Sequence, residues 1–252
     1  MPFGFYLRPQ VTPFVILFIE RDGSTYMIGM LESHPAIATV YERFAVMRQK
    51  GQDGAAQVNW AREFYSAPLV GSTAALGFKT KLVDVLDPSG FVALLREKRV
   101  NIIHMRRRNR VKAVVSRINA RRLYEATGNW NLYKKSDRMP PMTIDPDMFA
   151  TYLHEREEAD DVLSAFVSDL QLPTFKVTYE ELLVDREAML TQIFAFLNVP
   201  PYPVQEKTIK HTKDDLRQVV KNFDELRAQY AGTPYHSMFD EILAPAAATL
   251  AR

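Results

Sequence analysis

Uninterrupted runs of apolar residues recur along the chain and alternate with stretches in which apolar residues are spaced three or four positions apart. A short uninterrupted run is typical of a strand that is buried on both faces of a sheet. The candidate strands are, in chain order, Phe14 to Ile19, Ala36 to Glu42, Leu76 to Leu82, Val100 to Met105 and Phe175 to Tyr179.

The stretches with helical spacing predict helices. The first begins at Thr25 and ends at the dipeptide His34-Pro35, because the residue before a proline is disfavoured in a helix. The others follow the stripe Val111 to Ile118 and span Asp147 to Leu170, Arg186 to Leu197 and Asp214 to Tyr230. In the Asp147 helix we expect Val162, Leu163, Phe166, Val167 and Leu170 to face inward. Strands that alternate with helices predict an α/β fold, in which helices flank a central parallel sheet.

Length and composition fit one globular unit. With 252 residues, of which 47% are hydrophobic, the chain is predicted to form a single domain over residues 1–252. Residues 125–145 carry no sustained period and contain Pro140-Pro141, so this segment is predicted to be a loop or lid. The chain contains no cysteine, which excludes disulfides and thiolate chemistry and fits a reducing compartment. The run Phe14 to Ile19 is too short to span a bilayer and lacks the features of a signal peptide, so we expect a cytoplasmic protein without a membrane span.

A cluster of small and polar residues follows the first predicted strand. The sequence Arg21-Asp22-Gly23-Ser24-Thr25-Tyr26 lies where the strand ends and the helix begins. The first turn of a helix presents unpaired N–H groups, and a preceding glycine lets an anion approach the backbone closely. With an arginine and two hydroxyls added, this turn suits a phosphate or a sulfate. The alternative is that Ser24 or Thr25 is an ordinary helix N-cap.

This turn is not the phosphate loop of P-loop NTPases, which requires a lysine directly after its last glycine. The segment Gly71 to Thr80 comes near that pattern, but Phe78 separates Gly77 from Lys79. No Gly-Lys dipeptide occurs in the chain. The pattern therefore argues against the alternative of a magnesium-dependent, kinase-like nucleotide-binding protein, and we expect no metal site.

A second basic turn follows the predicted strand Val100 to Met105. Arg106 to Asn109 leave this strand, and Ser116 stands eight residues after Arg108. Two helical turns would place this guanidinium and this hydroxyl along one helix, where both can bind one phosphate. The alternatives are a solvated basic face and a nucleic-acid-binding module, although a net charge of +2 argues against the second. Ligands of such folds bind at the carboxyl ends of the strands, so we expect this turn to lie beside the Arg21 turn.

In their order and spacing, these motifs resemble those of the sulfotransferases that use 3′-phosphoadenosine-5′-phosphosulfate (PAPS). The resemblance includes the segment Lys176 to Pro200 and covers most of the chain. It implies a sulfotransferase fold, with a central parallel sheet like that of P-loop NTPases, and it implies PAPS as the cofactor and adenosine 3′,5′-bisphosphate as its product. By the same resemblance, the 5′-phosphosulfate is bound by Arg21, Asp22, Gly23, Ser24, Thr25 and Tyr26, and the 3′-phosphate by Arg108 and Ser116.

The resemblance extends to two further cofactor contacts. Tyr179 matches a tyrosine that contacts the cofactor, and ordinary strand packing is the alternative for it. Lys210 lies in a late basic stretch, Lys207 to Lys213, that corresponds to a loop closing over the 3′-phosphate. The glycine of that loop's usual sequence is absent here.

The resemblance also implies that Glu42 is the catalytic base. Sulfotransferases that act on small phenols and steroids use a histidine, but Lys81 stands at the corresponding position in this chain. The spacing instead matches that of tyrosylprotein and carbohydrate sulfotransferases. This match places Glu42 on their base and Lys79 beside Arg21 as stabilisers of the transition state. Without the resemblance, Glu42 would be interpreted as a surface carboxylate at a strand end.

Two histidines are the alternative bases. His34 lies at a predicted helix end beside Pro35, and His104 lies within a predicted strand, where a core position is more usual than a catalytic one.

The implied acceptor is a hydroxyl of a small molecule, a carbohydrate or a peptide, and we expect no nucleic-acid partner. The segment 125–145 is the candidate acceptor side of the site, because loops carry specificity while the scaffold stays constant. Its aromatic and basic residues suit a ring or an acidic group, and a solvated loop is the alternative. They are Trp130, Tyr133, Lys134, Lys135 and Arg138.

Overall fold

The computed structural model describes residues 11–67, 71–132, 134–204 and 213–243. Its centre is a five-stranded sheet with the order β2-β3-β1-β4-β5, and all neighbouring strands are parallel. The strands are β1 Thr12–Leu17, β2 Ile37–Val40, β3 Ala75–Thr80, β4 Asn101–Arg106 and β5 Thr174–Thr178. All five strands lie within the segments predicted from apolar runs or overlap them closely. The predicted α/β fold with helices around a parallel sheet is confirmed.

The helices among the described residues connect the strands or follow them. They are α1 Ser24–Glu32, α2 Arg43–Gln49, α3 Gly54–Ser66, α4 Pro88–Glu97, α5 Arg110–Thr127, α6 Pro146–Leu170, α7 Tyr179–Val184, α8 Arg186–Phe196, α9 Phe223–Gln229 and α10 His236–Asp240. Short 3₁₀ turns lie at Leu82–Asp84, Lys135–Asp137 and Leu216–Gln218. None of these helices is both long enough and apolar enough to cross a membrane.

The sheet is covered on both faces, which explains why its strands are apolar throughout. Alternate residues of β1 enter two different cores. Phe14 and Ile16 pack with α1 and α8 on one face. Val15 and Leu17 pack with α2, α3, α4 and α6 on the other face. A third cluster joins α5 and α6 to the segment from Leu216 to Phe239.

Two predictions about helices are wrong in part. Val162 is 61% exposed, so it lies on the solvent side of α6 and does not face inward. The predicted helix Asp214 to Tyr230 is replaced by a 3₁₀ turn, a bridge between Met142 and Val220, and the shorter helix α9. The backbone of Met142 forms hydrogen bonds with Val219 and Lys221, and these replace helical hydrogen bonds in this segment. The apolar positions named for this helix are nevertheless buried: Leu216, Val219, Val220, Phe223 and Leu226.

The segment 125–145 is irregular over most of its length. Helix α5 continues into it and ends at Gly128, whose φ of 73° closes the helix in the left-handed conformation. Helix α6 begins at Pro146 with Asp145 as its N-cap. Apart from the 3₁₀ turn Lys135–Asp137, the described residues between them form no helix.

The chain order places two connecting turns next to each other. Strand β1 lies between β3 and β4, so the turns that follow β1 and β4 leave neighbouring strands at the same edge of the sheet. This is the position at which α/β sheets bind ligands, because the helices on either side diverge there.

Candidate active site

The turn between β1 and α1 is built from two residues in the left-handed conformation. Arg21 has a φ of 71° and Gly23 a φ of 85°, and Gly23 is the residue that precedes α1. Helix α1 has no side-chain cap, so the alternative that Ser24 or Thr25 is its N-cap is wrong. The first N–H groups of α1 therefore remain suited to an anion.

Gly23 is required at this turn because a side chain would meet its neighbours. A Cβ there would lie 2.4 Å from Cδ2 of Tyr179 and 3.2 Å from Cε of Met105. The ring of Tyr179, the first residue of α7, thus packs against this turn.

We expect Gly23→Ala to destabilise the protein more than Gly51→Ala does. Both glycines have positive φ, but a Cβ at Gly51 meets nothing within 4 Å. The two substitutions therefore share the backbone strain, and only the first adds the clash with Tyr179. Chemical denaturation should show a difference in unfolding free energy of about 1–3 kcal/mol between them. Equal losses of unfolding free energy in the two variants would mean that Tyr179 moves aside without destabilising the protein.

A buried lysine links this turn to Glu42. Lys79 is 1% exposed, and its ammonium donates to Oγ of Ser24 at 3.2 Å and to Oγ1 of Thr25 at 2.8 Å. The same ammonium lies 3.1 Å from Oε1 of Glu42. Glu42 lies just after β2 and Lys79 in the neighbouring strand β3, so the parallel pairing brings both to the same edge of the sheet.

A second lysine completes the surroundings of Glu42. Nζ of Lys81 lies 3.5 Å from Oε2 of Glu42 and 3.3 Å from Oδ2 of Asp84. Burial alone would raise the pKa of Glu42, but the ammonium groups of Lys79 and Lys81 outweigh that effect and the pKa is lowered. Burial lowers the pKa of Lys79, and Glu42 opposes that shift. Glu42 is therefore an ionised carboxylate at neutral pH.

Arg21 reaches across the cavity to the helix that follows β4. Its Nε donates to Oγ of Ser116 at 3.0 Å, and its Nη1 donates to the carbonyl oxygen of Trp130 at 3.3 Å. Arg21 and Ser116, which the sequence assigned to two phosphate positions, are thus in direct contact. Burial, together with the positive charge of Arg107, lowers the pKa of Arg21 to about 10.

In the basic turn after β4, one arginine is buried in the cavity wall and the next is exposed. Arg107 is 8% exposed and lines the cavity, where its guanidinium lies 5.1 Å from the ring centre of Tyr179. The side chain of Arg108 is 62% exposed, and its guanidinium pairs with Glu241 at 2.5 Å. The backbone N–H groups of Arg108 and Asn109 donate to the carboxylate of Glu180.

Asp22 points into the protein and not into the cavity. Its carboxylate is fully buried, accepts the N–H of Ile19 at 2.9 Å, and pairs with Arg156. Arg156 also contacts Asp160 at 3.1 Å and donates to the carbonyl oxygen of Glu20. Burial raises the pKa of Asp22 to about 6. These contacts tie the Arg21 turn to α6.

The turn and Glu42 open onto one cavity of about 890 Å³. Among the predicted site residues, those that line it are Arg21, Gly23, Ser24, Thr25, Tyr26, Glu42, Ser116 and Tyr179. Asp22, Lys79 and Arg108 are not among its lining residues, and Lys210 lies outside the described residues. Lys79 still contacts Ser24, Thr25 and Glu42, which line it. The sequence interpretation missed Arg107 and Lys81 as lining residues.

The opposite wall of the cavity comes from α5 and the segment that follows it. Tyr124 and Trp130 stack on each other there, with ring centres 4.3 Å apart and planes 12° from parallel. Arg117, Arg121 and Tyr152 line the same side. The segment 125–145 contributes Glu125, Trp130, Asn131 and Leu132.

Neither candidate histidine lines the cavity. His34 is 2% exposed; its Nε2 lies 2.8 Å from the carbonyl oxygen of Pro200, and its Nδ1 accepts the N–H of Ala36. His104 is 2% exposed within β4, and burial lowers its pKa to about 4. Both histidines occupy structural positions in this arrangement.

No protein-family model matches the chain. The chain is 27% identical over 244 residues to Nodulation protein H of Rhizobium tropici, across 92% of this chain and 94% of that protein. It is 25% identical over 239 residues to Nodulation protein H of Rhizobium meliloti, across 90% of this chain and 95% of that protein.

Solved structures with a similar fold include two sulfotransferases. The sulfotransferase from Alicyclobacillus acidocaldarius aligns with a TM-score of 0.49 and 16% identity, over 92% of this chain and 97% of that chain. The mouse sulfotransferase SULT7A1, solved in complex with PAP, aligns with a TM-score of 0.46 and 14% identity, over 86% of this chain and 67% of that chain.

Proposed function

We propose that the protein is a sulfotransferase that transfers the sulfuryl group of PAPS to an acceptor hydroxyl. The observation that carries this proposal is that Lys79 joins a carboxylate to an anion-binding turn. Its ammonium contacts Glu42 on one side and the hydroxyls of Ser24 and Thr25 on the other. A base and a phosphate-binding turn therefore face one cavity, which is the arrangement that an in-line group transfer requires.

The residues at the turn fit a sulfated bisphosphate nucleotide. Helix α1 has no side-chain cap. A side chain at position 23 would collide with Tyr179, so the residue there is glycine, and its backbone is open to an anion. Arg21 faces the cavity, with Ser116 in contact with it. Arg21, Ser24, Thr25 and Ser116 would hold the nucleotide. Arg108 would bind its 3′-phosphate, as the sequence resemblance implies, once its guanidinium leaves Glu241. When bound, PAPS supplies an activated sulfuryl group on a bisphosphate leaving group.

The protein groups then have separate roles in the reaction. Glu42 accepts the proton of the acceptor hydroxyl, for which it must be ionised and exposed to the cavity. Lys79 holds this carboxylate in place while it stays bound to the turn. Arg21 and the N–H groups of α1 stabilise the negative charge that develops on the leaving side.

The acceptor side of the site is the wall that carries Tyr124, Trp130 and Arg121. Its flat stacked rings and its cations suit a hydroxyl on a ring, on a sugar or on a peptide with acidic groups. We place the reaction in the cytoplasm, since a chain without cysteine fits a reducing compartment.

The two alternatives from the sequence are not favoured. A nucleic-acid module would present its arginines together on one surface, whereas Arg107 is buried in the cavity wall and Arg108 pairs with Glu241. A kinase-like protein would carry its lysine within the phosphate-binding turn, whereas Lys79 reaches this turn from β3.

Calorimetry with adenosine 3′,5′-bisphosphate tests the proposed function. We expect one molecule to bind per chain, and we expect Arg108→Ala to weaken this binding about 10- to 100-fold through the loss of charge-assisted hydrogen bonds. Glu241→Gln should have the opposite effect, because it frees Arg108 from its carboxylate partner.

Two outcomes would contradict parts of this proposal. Absence of saturable binding to the wild-type protein would overturn the proposed function. Equal affinity of Arg108→Ala and the wild-type protein would remove Arg108 from the phosphate site and leave the function in place.

A further inference from the structure

Arg107 lies in the cavity wall, and the described residues give its guanidinium fewer partners than a buried guanidinium normally has. It is 8% exposed, and its Nη1 donates to the carbonyl oxygen of Arg21 at 3.4 Å. Within the described part of the chain, its Nε has no hydrogen-bond partner. Its guanidinium also lies over the ring of Tyr179, 5.1 Å from the ring centre.

A second cation lies beside this guanidinium. Arg21 lines the same cavity, and the hydrogen bonds of its side chain go to a hydroxyl and a carbonyl oxygen. In the described residues neither arginine pairs with a carboxylate, although burial of a charge is costly unless an opposite charge compensates it. Burial lowers the pKa of both arginines. The carboxylates of Glu180 and Asp22 oppose this shift for Arg107, and Glu20 opposes it for Arg21, but none of them forms an ion pair with these arginines in the described residues.

The local geometry indicates what would compensate these charges. Tyr179, on which Arg107 lies, is the residue that packs against Gly23 at the start of α1. Arg107 is therefore next to the turn whose N–H groups have no side-chain cap. An oxyanion at this turn would meet the guanidinium of Arg21, the N–H groups of α1 and the unsatisfied Nε of Arg107.

We propose that Arg107, together with Arg21, binds the phosphate on the 5′ side of the donor nucleotide. The identity of the nucleotide rests on the proposed function, whereas the anion site rests on the contacts of Arg107 and Arg21 and on the uncapped start of α1. The assignment differs from that of its neighbour Arg108, which the sequence resemblance places on the 3′-phosphate and which contacts Glu241 on the outside of the cavity.

Calorimetry on Arg107→Met tests the assignment, with Arg106→Met as the matched control. Arg106 is the preceding residue, carries the same charge and does not line the cavity. We expect Arg107→Met to weaken binding of adenosine 3′,5′-bisphosphate and of adenosine 5′-monophosphate about 10- to 100-fold. Arg106→Met should bind both within about twofold of the wild-type protein, because the side chain of Arg106 does not line the cavity.

Adenosine 3′-monophosphate shows which phosphate Arg107 binds. Its affinity should be nearly the same for Arg107→Met and the wild-type protein. A loss confined to this nucleotide would overturn the assignment to the 5′ side, and unchanged affinity for all three nucleotides would overturn the role of Arg107 in binding.

Inorganic pyrophosphate separates this inference from the proposed function. If the wild-type protein binds pyrophosphate but no adenosine nucleotide, the proposed function fails, and a loss of pyrophosphate binding in Arg107→Met still supports the anion site. If the wild-type protein binds neither, both fail.

Thermal unfolding distinguishes a binding role from a structural one. Removal of a buried cation that has no ion-pair partner among the described residues should leave the melting temperature of the ligand-free protein unchanged or raise it. The stabilisation that saturating adenosine 3′,5′-bisphosphate gives to the wild-type protein should be largely lost in Arg107→Met. A lower melting temperature without ligand, with normal stabilisation by ligand, would mean that Arg107 only supports the fold.

Discussion

Glu42→Gln should lower the turnover number about 100- to 10,000-fold, because the amide cannot accept the proton of the acceptor hydroxyl. Binding of adenosine 3′,5′-bisphosphate should stay nearly the same, since the amide oxygen can still accept a hydrogen bond from Lys79. Single-turnover assays with a hydroxyl acceptor measure the first effect, and calorimetry measures the second.

The pH dependence of turnover distinguishes Glu42 from a histidine as the base. Lys79 and Lys81 hold the pKa of Glu42 below its ordinary value of 4.5 despite burial. Because the base works only when ionised, turnover should fall only as the pH drops below about 4.5. A histidine base would place this fall near pH 6.5. The Gln variant should lose this acidic limb of the profile.

Glu32→Gln is the matched control for this experiment. It makes the same chemical change at an exposed position at the end of α1, outside the cavity. Its turnover should equal that of the wild-type protein. Normal turnover in Glu42→Gln would remove Glu42 as the base. An equal loss of turnover and of nucleotide affinity would mean that Glu42 organises the turn through Lys79.

The sheet could be predicted from the sequence because each of its strands is a short apolar run covered by helices on both faces. The helices α2, α3 and α4 were not predicted, although in α4 the buried residues Phe91, Leu94 and Leu95 recur at helical spacing. The segment from Asp214 to Tyr230 carries an apolar stripe, but its contact with Met142 replaces helical hydrogen bonds. Such a contact between distant segments has no local signal.

In the candidate site as well, the sequence indicated the local features and missed those that depend on distant segments. The Arg21 turn is local, so glycine and hydroxyls next to a strand were enough to indicate it. The sequence alone did not indicate which arginine of Arg106 to Arg108 enters the cavity, because that depends on how β4 passes into α5. The contact of Asp22 with Arg156 joins residues that are 134 positions apart.

Arg156→Met should destabilise the protein by about 3–5 kcal/mol, because it leaves a buried carboxylate without its cation. Arg156 is 5% exposed and contacts Asp22 and Asp160, both of which are buried. Asp160 keeps Arg110 as a partner at 2.8 Å, whereas the described residues offer Asp22 no second cation at ion-pair distance. The substitution should therefore destabilise mainly the turn between β1 and α1. Because this turn is the proposed anion site, nucleotide affinity should also decrease.

The pH dependence of this loss identifies its cause. The pKa of Asp22 in the folded protein is about 6, above its ordinary value of 3.8, and removal of Arg156 should raise it further. A carboxyl with a raised pKa contributes its full stability below pH 3.8 and loses it as the pH rises through the folded value. Chemical denaturation should therefore show a smaller deficit for Arg156→Met at pH 5 than at pH 8.

Two further variants control for packing and for surface charge. Asp22→Asn combined with Arg156→Met should recover part of the lost stability, because the buried charge is then removed together with its partner. Arg62→Met breaks an exposed pair with Glu97 and should change stability little. If the deficit of Arg156→Met is the same at both pH values and the double variant recovers nothing, the contribution of Arg156 is packing, and the turn that binds the anion does not depend on this ion pair.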